Sequence, residues 1–139
     1  MTSIKKLTTQ AKHTYHLEVA AELARSRSTL RKFATGCVIF DRSGVPVAHG
    51  WSHYGERILQ RYKHYRSVHA ELHALLRTTD RSRLIGGTIY IATIRKRSGN
   101  LGVGKPCELC EELIAASGIK TVIYTTGNPG TNWFATKAA

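Results

Sequence analysis

The motifs His69-Ala70-Glu71 and Pro106-Cys107-Glu108-Leu109-Cys110 constrain this chain more than any other feature. One imidazole and two thiols are three good zinc ligands, so a fold that uses them must bring two distant segments to one point. Three protein ligands leave the fourth tetrahedral corner open to water, whose pKa the metal lowers toward neutrality. Glu71 is then free to move protons between that water and a leaving group. A structural zinc site would need a fourth protein ligand. His73, four residues after His69, is the candidate for it; the alternative is a packed or solvated histidine on the helix flank. A metalloprotease pattern fails, because there the carboxylate follows the first histidine directly and here Ala70 intervenes.

Local patterns show how the two segments can meet. Thr8 to about Arg25 spaces Tyr15, Leu17, Val19, Ala20, Leu23 and Ala24 as a helix would, with a weak continuation through the basic stretch Ser26 to Lys32. Gly36 to Phe40 reads as a buried strand closed by the turn Asp41-Arg42-Ser43-Gly44, and Val45 to Trp51 as its hairpin partner. Ser52 to Arg66 lacks a period and reads as a loop beside the site. Val68 to Arg77 and Glu108 to Ser117 predict helices, Gly87 to Ile94 and Ile119 to Thr126 predict strands, and Asn132 to Thr136 predicts a short final strand. Arg95 to Lys105, with three glycines among basic residues, reads as a flexible excursion.

His69 and Glu71 thus fall at the start of one helix, Cys107 and Cys110 at the start of another. Residues three apart share a helix face, so both sulfurs reach one ion, and the partial positive charge of a helix start stabilises thiolates. Pro106 suits the first helical position or the one before it. The connection from Tyr124 to Trp133 is too short for a crossover, so the last two strands are expected to be antiparallel. The expected fold is α/β, a three-layer α/β/α sandwich around a mixed five-stranded sheet, with residues 1–139 as a single domain.

Twenty-one Lys and Arg against nine Asp and Glu leave a formal charge of +12, which favours phosphate-bearing partners. No apolar run approaches the roughly 20 residues of a membrane span, and no apolar core of signal-peptide length follows Met1 to Lys6. Three cysteines, two of them in a Cys-x-x-Cys pair, fit metal binding in a reducing compartment. The expected location is the cytoplasm.

With these residues in place, the chain resembles the zinc-dependent cytidine and deoxycytidylate deaminase superfamily over Gly36 to Thr126. Thr35-Gly36-Cys37-Val38-Ile39 is similar to that family's first buried strand, Gly50 to the end of its second, and Ser67 to Leu76 to the deoxycytidylate-deaminase motif helix. The resemblance implies that His69, Cys107 and Cys110 hold Zn2+ and that Glu71 is the proton shuttle of a hydrolytic deamination of cytosine to uracil. It implies substrate contacts at Ser52, His53, Ala70 and Pro106, with Ser52 standing where many relatives have the asparagine that contacts the sugar. It also implies a homo-oligomer.

The leading expectation is deamination of a cytosine nucleoside or nucleotide, cytidine, deoxycytidine or deoxycytidylate. A second is deamination within single-stranded DNA or RNA, which the net charge and the run Arg57, Arg61, Lys63 and Arg66 interleaved with Tyr54, Tyr62 and Tyr65 would serve. A third is a non-catalytic nucleic-acid-binding domain with structural zinc, against which Glu71 counts. Of the remaining features, Cys37 reads as a small buried hydrophobe or a thiol beneath the pocket, and Trp51 as hairpin packing or a base-stacking ring. Arg25, Arg27, Arg31 and Lys32 read as a solvated helix face or a nucleic-acid contact, while Trp133 and Phe134 should alternate across the last strand.

Overall fold

In the computed structural model, residues 2–54 and 67–139 are described, with side chains from Thr8 onward. The basic, tyrosine-rich run at 57–66 lies outside them. Helix α1 (Thr2–Arg27) leads into the hairpin β1 (Phe33–Phe40) and β2 (Pro46–Trp51); β3 (His53–Tyr54) and β4 (Ser67–Val68) form a two-stranded ribbon before α2 (Ala70–Arg77). Then follow β5 (Thr88–Arg95), β6 (Leu101–Gly102), α3 (Glu108–Ala116), β7 (Thr121–Thr125) and β8 (Phe134–Ala138). The main sheet runs β2-β1-β5-β7-β8, with the short β6 added beside β5. Among the described strands only β5 and β7 pair in parallel, and α3 is their crossover; β7 and β8 are antiparallel as expected. Among the described residues no helix is long and apolar enough to cross a membrane.

Period-two alternation along β1 and β5 sorts side chains into two cores. Ala34, Val38, Phe40, Tyr90, Ala92 and Ile94 pack against Leu17, Ala20, Ala21 and Ala24 of α1. Cys37, Ile39, Ile89 and Ile91 face the other way, against Ala70, Ala74 and Leu75 of α2 and Ile114 of α3. The layers are therefore α1, sheet, then α2 with α3. Both helix contacts depend on a glycine opposite small residues. A Cβ on Gly36 would strike the carbonyl of Ala20, and one on Gly50 would stand 2.5 Å from the carbonyl oxygen of Ala70 and 2.6 Å from the nitrogen of Ala74. The second approach seats α2, and with it the first metal motif, directly on the end of β2.

Several local expectations are corrected. Helix α1 stops at Arg27 rather than fraying on to Lys32, because the Ser28 hydroxyl accepts from the Leu30 N–H and bonds Ser52 Oγ, offering the chain a non-helical alternative. Tyr15 and Val19 lie on the exposed side of α1, and the buried stripe is Leu17, Ala20, Ala21 and Ala24. Arg95 to Lys105 is an ordered hairpin: Asn100 accepts from the Arg95 N–H at 2.7 Å, Gly99 turns at φ 77°, and Leu101–Gly102 pairs with Ile94 and Thr93. Lys96 ties it down, its Nζ donating to the Ser28 carbonyl at 2.8 Å. Trp133 precedes β8, so it does not alternate with Phe134. Both rings pack on the α1-side core, with centroids 4.9 Å apart.

Candidate active site

His69 is the residue just before α2, with extended backbone (φ −72°, ψ 149°), and Cys107 holds the equivalent place before α3. Cys107 therefore stands outside the helix rather than on its face. Its Sγ accepts from the Cys110 N–H at 3.5 Å, an amide left unpaired by the helix start. That bond brings the two sulfurs together and gives each the partial positive charge of the helix end. Pro106, buried, leads into this turn.

The Nδ1 atom of His69 lies 3.6 Å from Cys107 Sγ and 3.5 Å from Cys110 Sγ. A tetrahedral zinc with Zn–N of about 2.05 Å and Zn–S of about 2.3 Å requires N···S separations of roughly 3.5 Å. The three ligand atoms all lie within 4.8 Å of one another, and they form the metal-capable group found among the described residues. Burial lowers the His69 pKa, which favours the neutral, ligating ring. Burial, the Glu71 charge and Cys107 push the Cys110 thiol well above its ordinary range. Thiolates and a carboxylate crowded in one buried place repel each other, and a bound dication removes that cost. The donor set fits zinc.

Glu71 is buried in the first turn of α2, and burial raises its pKa, with a contact to Cys110 pulling the other way. Glu71 lines a cavity of about 240 Å³ together with His69, Cys107, Ala70 and Ser52. The Ser52 hydroxyl accepts from the Thr35 N–H and bonds Ser28 Oγ, both at 2.9 Å, so it holds the cavity wall in place. His53 and Pro106 are not among the lining residues. The His53 Nδ1–H donates to the Trp51 carbonyl at 2.9 Å, and its ring packs 4.6 Å from that of His73.

His73 stands apart from the metal cluster. Its Nδ1 accepts from the Trp51 N–H at 3.2 Å, and burial beside His53 and Arg77 pulls its pKa down to about 4. It is the packed histidine of the two alternatives. Cys37 is fully buried and its thiol donates to the Ala70 carbonyl at 3.2 Å, directly beneath the motif helix. Sequence reasoning missed Thr35 and Thr93, which line the cavity with their hydroxyls 2.7 Å apart. The signal for both is strand alternation combined with the Thr35–Thr93 register, which only the β1–β5 pairing supplies.

An α/β/α sandwich that gathers three residues able to hold zinc at two adjoining helix starts fits the class its motifs resemble, the zinc-binding deaminases. Sequence narrows the class: residues 10–126 match the cytidine and deoxycytidylate deaminase zinc-binding region, and the chain belongs to that family. It is 45% identical over 58 residues to the deoxycytidylate deaminase of Mycobacterium phage D29, a match covering 42% of this chain and 36% of the phage protein. The chain thus spans about a third of the length of that curated relative. The fold is similar to the crystal structure of cytidine deaminase from Burkholderia pseudomallei, with a TM-score of 0.60 at 18% identity over 91% of each chain. It is also similar to cytidine deaminase from Mycobacterium tuberculosis, with a TM-score of 0.51 at 17% identity over 80% of this chain and 81% of that one.

Proposed function

We propose that the chain catalyses hydrolytic deamination of cytosine to uracil in a nucleoside or nucleotide of the cytidine, deoxycytidine or deoxycytidylate type. The observation that carries this reading is that buried Glu71 lines the same cavity as His69 and Cys107, which with Cys110 form a cluster spaced for zinc. His69, Cys107 and Cys110 would hold zinc, which would supply a Lewis acid and an acidified water. Glu71 accepts the proton that water loses as it adds to C4 of the base. It delivers this proton to the adjacent ring nitrogen, then takes the proton of the hydroxyl now on C4 and passes it to the amine, which departs as ammonia as the C4–N bond breaks and the C4 carbonyl forms. A carboxyl group raised toward neutrality by burial suits both directions of transfer. The Ala70 main chain and the Ser52 wall orient the base and its sugar, with the Thr35–Thr93 hydroxyl pair beside them.

The test is ammonia release by the zinc-loaded protein from cytidine, deoxycytidine and their monophosphates. Turnover of at least one is expected. Failure on all four, with zinc bound, would sink the reading.

A further inference from the structure

Trp51 ends β2, and two cations from two different helices converge on its ring. The guanidinium carbon of Arg27, the last residue of α1, lies 5.4 Å from the ring centroid, and that of Arg77, the last residue of α2, lies 5.1 Å away. The imidazole of His49 stacks on the same indole at 6.0 Å. We propose that this Arg27–Trp51–Arg77 stack binds single-stranded nucleic acid, the ring holding the two guanidiniums in place to take backbone phosphate.

Each arginine alone has a bland explanation, since a cation at a helix C-terminus is stabilised by the helix dipole. That does not explain why both meet one tryptophan. The indole quadrupole attracts each cation, yet two like charges on one ring repel. Among the described residues the ion pairs are Arg25–Glu22, Arg83–Asp41 and Lys137–Glu111, so neither Arg27 nor Arg77 has a carboxylate. The charges felt by His49 and His73 alongside are likewise all basic.

Arg77 is fixed by an Nη1 bond to the His49 carbonyl at 3.1 Å, which leaves its other N–H groups as donors for phosphate. The place also favours a polymer. Ser28 and Ser52, the residues following Arg27 and Trp51, bond each other at 2.9 Å, and Ser52 lines the catalytic cavity. This inference rests on the deaminase reading above and extends its substrate to a cytosine within a strand: with that base in the cavity, the flanking backbone is at hand for the stack. A mononucleotide needs only a few cations, whereas a chain of net charge +12 gains with every phosphate it meets.

The test uses fluorescence anisotropy of the full chain with a labelled oligothymidylate of fifteen nucleotides, which contains no cytosine, across a salt series. Because each single-strand phosphate contact contributes roughly 0.7 to the slope of log affinity against log salt, Arg27→Gln/Arg77→Gln should flatten that slope by about 1.4. Trp51→Ala, which removes the ring that gathers both guanidiniums, should flatten the slope toward that of the double variant. Arg27→Gln alone, at an exposed helix end, should flatten the slope by about 0.7 and covers the case in which the double variant misfolds. Unchanged slope and affinity in the variants would overturn the proposal. So would a polyglutamate peptide that binds as tightly with the same arginine dependence, because the surface would then read charge alone. Ammonia release from free cytidine or deoxycytidylate should be unaltered in Arg27→Gln, so a failure of the deaminase reading and a failure of this one are separately visible.

Discussion

Gly50→Ala is the sharpest perturbation the fold offers, because it presses on the metal motif without touching a ligand. The new Cβ would stand 2.5 Å from the Ala70 carbonyl oxygen, against roughly 3.4 Å for ordinary contact, so α2 must retreat by nearly an ångström. Both atoms it meets first are backbone, which cannot rotate out of the way. Overpacking of this kind costs about 1–3 kcal/mol. For a chain of this length that lowers Tm by roughly 4–12 °C. His69 immediately precedes α2 and moves with it, stretching the 3.5 and 3.6 Å separations from the sulfurs. A displacement near 1 Å at a catalytic centre costs about 10²-fold in rate. Gly36→Ala is the control: its Cβ meets the Ala20 carbonyl on the opposite face, where α1 carries no ligand. Thermal melts, chelator competition for zinc and kcat/KM should show both variants destabilised but only Gly50→Ala losing zinc affinity and rate. If Gly50→Ala keeps wild-type zinc affinity, or Gly36→Ala loses it equally, the seating of α2 on Gly50 does not position the metal.

Three other outcomes follow from the packing and the charges. Ile114→Ala empties a fully buried place where α3 meets the sheet and should cost about 2–5 kcal/mol in urea denaturation. Lys137→Met removes a 2.7 Å ion pair with Glu111 that is about one-third exposed, and should leave the urea midpoint almost unchanged. His73 is held neutral by burial and by His53 and Arg77, with its pKa lowered from 6.5 to about 4. Its contribution is whole above pH 6.5 and drains away as the pH falls from 6.5 to about 4, where the unfolded chain takes up a proton that the fold refuses. Replacing it by glutamine, which can still accept from the Trp51 N–H, should flatten the fall of Tm over that window; an unchanged profile would contradict the assignment.

The zinc cluster could be read from the chain because its spacing is local: each ligand sits within a turn of a helix start, and helix starts carry their own marks. The strands Gly36 to Phe40 and Gly87 to Ile94 could be read as well, from short apolar runs rich in β-branched residues. What escaped depends on partners far away in sequence. Ser28 ends α1 through a hydroxyl bond to Ser52, and the Arg95–Lys105 segment is ordered by Lys96 reaching back to Ser28. Thr35 and Thr93 become cavity neighbours only through strand register. Trp51 gathers its two arginines from the ends of separate helices. Composition carries none of that information.

The most direct measurement is zinc content and ammonia release for Glu71→Gln beside the wild type. The buried carboxyl is not needed to hold the metal, so the variant should keep its zinc while turnover falls by about 10²- to 10⁴-fold, the usual worth of a positioned acid–base group. Turnover at the wild-type rate with zinc retained would mean that Glu71 carries no proton, and the chemistry assigned to this cavity would have to be abandoned.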